Sequence, residues 1–257
     1  MLAFLNIADN GIGNEGLRAL AEGLTAPFNH LLSLDISNND LQSHSLAQLE
    51  PVVCKGELQE LLVSSNKLTD RACFDLRDIL QRTHSRLTKI DLGNCEIGHE
   101  GAGAIFDAFR GNAFMRSLSL ERNNLAGANF REVAPFLKGA KAPQFLNLSH
   151  CNLSDAESEF LAAGLQLNRT LETLLLHNNY ILVGGASGIA EALASNTRTR
   201  LKVFDLSTNY AQNEGGLALV RALGRNCTLQ QFMLRNNSLT DPVGDEMLAM
   251  LKKNFVL

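Results

Sequence analysis

Ser149, His177 and Asp205 recur at a constant interval of 28 positions, and together they are the residue types of a hydrolytic triad. Such a triad needs a base within hydrogen-bond reach of the hydroxyl, an acid to orient that base, and donors to hold the oxyanion that forms. His150, Cys151 and His177 make a second set, offering the nitrogen and sulfur ligands that zinc takes. A third stretch, GGASG from Gly184, resembles a phosphate-cradling turn but lacks the G-x-G-x-x-G spacing and the lysine that such turns carry. Asn147, Asn152, Asn168, Asn226 and Asn236 each begin an N-x-S/T triplet, the glycan acceptor pattern of secreted loops. Which of these sets can act depends on the elements that carry them.

Those elements follow from one repeat. LAFLNIADNGI begins at Leu2, LLSLDISNNDL at Leu31, LQELLVSSNKL at Leu58, LTKIDLGNCEI at Leu87 and MRSLSLERNNL at Met115. PQFLNLSHCNL follows at Pro143, LETLLLHNNYI at Leu171, LKVFDLSTNYA at Leu201 and LQQFMLRNNSL at Leu229. All nine fit L-x-x-L-x-L-x-x-N/C-x-L, with Pro143 replacing one leucine and Ala211 another. The alternating x-L-x-L-x core is a strand whose leucines face inward and whose x residues face out. The Asn or Cys that follows can bond neighbouring backbone and form a ladder from unit to unit. Cys95 and Cys151 therefore read as ladder residues pointing inward, which removes Cys151 from any surface metal set.

Each strand is followed by a helical stretch. GNEGLRALAEGLTA from Gly13 spaces Leu17, Leu20, Ala21 and Leu24 along one helix face. DRACFDLRDIL from Asp70 and EGGLALVRALG from Glu214 repeat that pattern. Ser154 with Glu157 is a capping box, and Thr240, Asp241 and Pro242 open a further helix. Strands stack about 4.8 Å apart whereas helices are roughly 10 Å wide, so strands on one side and helices on the other force curvature. The fold class expected is α/β: a curved solenoid, or horseshoe, of nine repeats of about 28 residues, with a parallel inner β-sheet and outer α-helices, forming one domain over residues 1–257.

This period, with a full helix in each unit, resembles the ribonuclease-inhibitor-like class of leucine-rich repeats over essentially the whole chain. That class includes ribonuclease inhibitors, the activator of the Ran GTPase, the sensor arms of nucleotide-binding receptors, and cytoskeletal and ciliary assembly proteins. The resemblance implies protein recognition without naming a partner.

The outward strand positions are then the surface of interest. They are polar and mildly acidic in the first five units and more apolar in the last four. Phe145, Leu175, Val203 and Met233 are expected to form an apolar patch across four adjacent strands, with His177, Asp205 and Arg235 beside it. Tyr180 and Tyr210 share one offset and should stand side by side at the rim, where flat rings suit a contact hot spot. Asp35, Glu60, Asp91 and Glu121 form an acidic set whose mutual repulsion on adjacent strands a basic partner would relieve. A flat, wet sheet supplies neither an oxyanion hole nor shelter from water, so no catalytic residue, cofactor or metal is expected.

Bulk properties fit this reading. The net charge of −4 carries no basic excess, which argues against nucleic-acid and membrane-surface partners, and Arg198, Arg200 and Lys202 read as a short solvated cluster. Five scattered cysteines with no C-x-x-C pair, and no signal peptide, point to a reducing, cytoplasmic setting. Leu2 already opens a full strand, and the last helix closes near Phe255 and Leu257 without a polar cap. Either the chain is a fragment or neighbouring proteins cover its ends. The expected role is a protein–protein interaction module binding on the concave face. The alternatives are a structural subunit of a cytoskeletal or axonemal assembly, and a small-GTPase activator similar to the Ran activator, although the closing LKKNFVL lacks an acidic tail.

Overall fold

The computed structural model describes residues 2–26, 30–55, 57–82, 85–110, 112–139 and 141–254; Phe255 and Leu257 lie outside them. Each unit begins with a three-residue strand: β1 (Phe4–Asn6), β2 (Ser33–Asp35), β3 (Glu60–Leu62), β4 (Lys89–Asp91), β5 (Ser117–Ser119), β6 (Phe145–Asn147), β7 (Thr173–Leu175), β8 (Val203–Asp205) and β9 (Gln231–Met233). They form one parallel sheet in strict sequence order. Leu34, Leu61, Ile90, Leu118, Leu146 and Leu174, at the middle of their strands, are all buried beneath it.

The outer layer holds α1 (Gly13–Leu24), α2 (Glu50–Cys54), α3 (Thr69–Arg82), α4 (His99–Phe109), α5 (Val133–Lys138), α6 (Asp155–Leu165), α7 (Val183–Ser195), α8 (Gln212–Leu223) and α9 (Asp241–Asn254). The result is the curved α/β solenoid that the repeat predicts. Units two and five depart from a full helix. There a 3-10 turn (Ser45–Leu49, Ala128–Glu132) runs into the short α2 or α5. Pro51 and Pro135 explain where the α-helices begin, because proline lacks the N–H that an earlier turn would need. Beneath α5, Phe106 packs edge-on to Phe130 at 5.6 Å and stacks on Phe136 at 5.3 Å. Three buried rings thus occupy the layer where one helix is cut short. No helix among the described residues is long and apolar enough to cross a membrane.

Side chains tie unit to unit. Asn66 Oδ1 accepts from the backbone N–H of Asn39 and Leu41, and Asn123 Oδ1 accepts from Cys95 and Ile97. Cys151 fills the same position by donating its thiol towards Leu120 O and Ser149 O. A second ladder closes the loops that lead back to the sheet. Asn168 Oδ1 accepts from Thr170 and Leu171, while its amide reaches Leu137 O at 2.8 Å. Asn168 is only 2% exposed, so its N-x-T triplet is a loop clasp and not a glycan acceptor.

Helix starts are held by the preceding unit, a feature that within-unit patterns do not reveal. Asp70 Oδ1 accepts from Gly98 N at 2.6 Å, and Asp155 Oδ1 accepts from Leu182 N at 2.7 Å. This explains GGASG: a Cβ on Gly185 would lie 2.6 Å from Asp155 Oδ1, so the glycines make room for a carboxylate, not for a phosphate.

Glu157 closes the expected capping box, accepting from Ser154 N and Oγ, and also reaches back to Gly127 N at 3.0 Å. Burial raises its pKa, but these hydrogen bonds outweigh burial and the net shift is downward. Its contribution to stability is therefore complete above the unfolded value near 4.5 and is lost as pH falls through the lower folded value. Urea midpoints measured at pH 7 and pH 3.5 should fall further for the wild type than for Glu157→Gln. Equal falls would remove Glu157 from the acid response.

Candidate interaction surface

The strand register decides which outward residues are neighbours. Phe145 pairs with Thr173, Thr173 with Val203, and Val203 with Gln231. In the adjacent column Asn147 pairs with Leu175, Leu175 with Asp205, and Asp205 with Met233. The expected apolar patch is therefore a zigzag: Phe145 and Val203 occupy one column, Leu175 and Met233 the other, with polar residues between. All four are half-buried on the open face and none is in the interior. Sequence offset alone places a residue on the face; only register separates the columns.

Tyr180 and Tyr210 stand side by side as expected, their rings 6.2 Å apart and 5° from parallel, each about half exposed. Leu182, two residues beyond Tyr180 and 48% exposed, extends this apolar rim and escaped the sequence reading. The signal was available, because Leu182 takes a helix-start position at which unit six has the capping Ser154.

The acidic set is not a stack of repelling charges, and that expectation is corrected by the register. Asp35 and Asp91 are separated by Leu62, and Glu60 lies between Ser33 and Lys89. Each carboxylate also has a partner. Asp35 accepts from Ser37 N and Asn6 Nδ2, Glu60 from Ser33 Oγ, Asp91 from Gly93 N, and Glu121 from Asn147 Nδ2. The bonds of Asp35 and Asp91 fix local turns, and those of Glu60 and Glu121 tie neighbouring repeats together.

The geometry does not assemble the hydrolytic set. Ser149 is buried, Asp205 Oδ1 is taken by Ser207 N at 2.8 Å, and among the described residues no hydrogen bond joins Ser149, His177 and Asp205. The His177 ring instead meets His150 edge-on at 5.2 Å. Burial, then Arg122 and His177, lower the His150 pKa against a raising effect from Glu121. His150 Nδ1 lies 2.6 Å from Asn178 Nδ2, so a neutral ring accepts that bond. Burial pushes the Cys95 and Cys151 thiols up to about 12, so neither is a ready thiolate ligand. An open groove of about 780 Å3 runs along the adjoining rim, lined by Asn94, Arg122, Asn124, His150 and Asn152 among others. Arg235, further along the same outward row as His177, is exposed.

Comparison with known proteins supports this architecture. A family model described as Leucine Rich repeat matches residues 1–21 and 84–106. The chain is 28% identical over 251 residues to a ribonuclease inhibitor of Sus scrofa, covering 97% of this chain and 55% of that protein. It is 28% identical over 245 residues to NACHT, LRR and PYD domains-containing protein 12 of Homo sapiens, covering 93% of this chain and 23% of that protein. The chain spans about half the length of the ribonuclease inhibitors it matches. Among solved structures, the leucine-rich repeat-containing protein LegL7 of Legionella pneumophila aligns with a TM-score of 0.54 at 18% identity, over 98% of this chain and 82% of that one.

Proposed function

We infer that this chain, similar to ribonuclease inhibitors over 97% of its length and matched in part by a Leucine Rich repeat model, is a leucine-rich-repeat protein of the ribonuclease-inhibitor-like class, and that it is a non-catalytic module that binds a protein partner on its concave face. The observation that carries this reading is the half-buried zigzag of Phe145, Leu175, Val203 and Met233, continued at the rim by Tyr180, Leu182 and Tyr210. Side chains on this face add nothing to the core beneath the sheet, so folding alone does not call for apolar residues there. Aromatic and aliphatic anchors ringed by His177, Asp205 and Arg235 match the usual anatomy of a contact surface, with an apolar centre and a polar rim. The partnered carboxylates Asp35, Glu60, Asp91 and Glu121 would steer a basic region of the same partner towards the face without anchoring it. Five free thiols, with Cys95 and Cys151 built into ladder rungs, suit a reducing compartment such as the cytoplasm.

Site-directed photocrosslinking in the native cell tests the surface. Benzoylphenylalanine at position 175 or 233 should trap one and the same partner, and at position 191, on the outer face of α7, it should trap none. Equal trapping from position 191 would remove the concave face from the account.

A further inference from the structure

We propose that the rim at which helices end and strands begin is a docking edge for the surface of an anionic lipid bilayer. Five successive helix-to-strand connections lie on this rim; with their flanking residues (110–116, 138–144, 166–172, 196–202 and 224–230) their sequences hold nine Lys and Arg and one carboxylate, Glu172. Glu172 is already paired with Lys202 at 2.6 Å. Arg116, Lys141, Arg169, Arg198, Arg200 and Arg225 are all exposed, and among the described residues none of them forms an ion pair. The opposite rim, where helices begin, exposes Asp9, Glu15, Asp40, Glu96, Glu100 and Glu214 beside the cations Lys67 and Arg122. The net charge of −4 is a sum over the whole chain and hides how the charges are distributed. A reading based on net charge misses the basic rim.

Helix dipoles do not account for this row. They favour cations only within the last helical turn, whereas Arg116 and Arg200 lie well past the ends of α4 and α7. The row is also held in place. Gln144 N donates to Arg116 O, Glu172 N to Gln144 O and Lys202 N to Glu172 O, each within 2.9 Å. Asn196 Nδ2 donates to Asn168 O at 2.6 Å, which ties one loop to the next. The loops therefore lie side by side along one flat side of the solenoid.

Two apolar side chains project from the same edge, one on either side of the loop 138–144: Phe114, 44% exposed, and Leu167, 57% exposed. Cations surrounding exposed apolar groups are the combination that holds a peripheral protein on an anionic bilayer. The cavity on this rim, between Phe109 and Gly139, is about 210 Å3 and holds at most one side chain. That argues against a bound peptide. Phe114 is the rim's single exposed aromatic among the described residues, which leaves no stacking row for single-stranded nucleic acid.

Flotation with phosphatidylcholine vesicles, with and without about one third phosphatidylserine, tests the proposal. Partition should rise at least ten-fold with phosphatidylserine and fall as salt is added. Arg198→Gln with Arg200→Gln should lower it by roughly 25-fold, at about five-fold per cation. Phe114→Ser with Leu167→Ser should lower it independently of salt. All substituted side chains are exposed, and unchanged unfolding midpoints would exclude misfolding. Equal binding to both vesicle types, no binding to either, or full binding by the arginine variant would each overturn the proposal. So would retention on single-stranded RNA without vesicle binding.

Discussion

Leu175→Lys combined with Met233→Lys should weaken partner binding by about 100-fold or more, roughly 2.7 kcal/mol, while leaving the fold intact. Both side chains lie in one outward column, separated by Asp205. A partner seated on the zigzag would lose two apolar anchors and would have to desolvate two ammonium groups. Lysine is the right replacement because of Asp205. Aspartate at both positions would stack three carboxylates on strands about 4.8 Å apart and confuse lost binding with lost stability. Lysine instead flanks Asp205 with opposite charges. Stability should change by less than about 1 kcal/mol, as at other solvent-facing positions. Affinity can be read by titrating the partner that photocrosslinking identifies, as free protein, against both chains. Affinity within two-fold of wild type would show that the concave zigzag is not the anchor.

Asn179→Ala should lower unfolding free energy by about 3–5 kcal/mol, a large share of the 5–15 kcal/mol typical of folded chains. Asn179 is buried and makes four bonds. Its amide donates to Leu148 O and Leu176 O, and its Oδ1 accepts from Cys151 N and Leu153 N. Alanine leaves three backbone groups buried and unpaired, Leu148 O and the N–H of Cys151 and Leu153, while Leu176 O keeps its bond from Asn209 Nδ2. Asn179→Cys should recover part of the loss, because Cys95 and Cys151 already serve in rungs of this ladder. Asn10 is the control. It holds the first rung but is exposed, so water replaces its bonds and Asn10→Ala should cost less than about 1 kcal/mol. Urea unfolding separates the three variants. A cost for Asn179→Ala no larger than that for Asn10→Ala would show that the ladder does not bind the units together.

The contrast between these two predictions marks how far the sequence could be read. Period-2 leucines identify every strand, and the recurring Asn or Cys identifies the rung, because both are properties of a single unit. The stacked pair Tyr180 and Tyr210 is legible for the same reason: an equal offset in adjacent units means adjacency in space. What a single unit does not disclose is contact between unlike positions of neighbouring units. Asp155 holds the start of α7 from 27 residues away, and GGASG is glycine-rich to admit that carboxylate. The acidic set looked self-repelling because its members were placed on adjacent strands without their columns. Charge followed the same rule, since a sum over the whole chain hid the row of cations that the fold gathers on one rim.

Hydroxyl-radical footprinting of the unsubstituted chain with the partner that photocrosslinking identifies tests the central claim most directly, because the proposed anchors include oxidation-sensitive Met, Phe, Tyr and Leu side chains. Met233, Phe145, Leu175, Tyr180 and Tyr210 should become protected, while Phe114, Leu167 and the N-terminal Phe4 keep their free-chain rates. Protection of Phe114 and Leu167 with Met233 and Leu175 unchanged would contradict the claim and move the protein contact from the concave face to the basic rim.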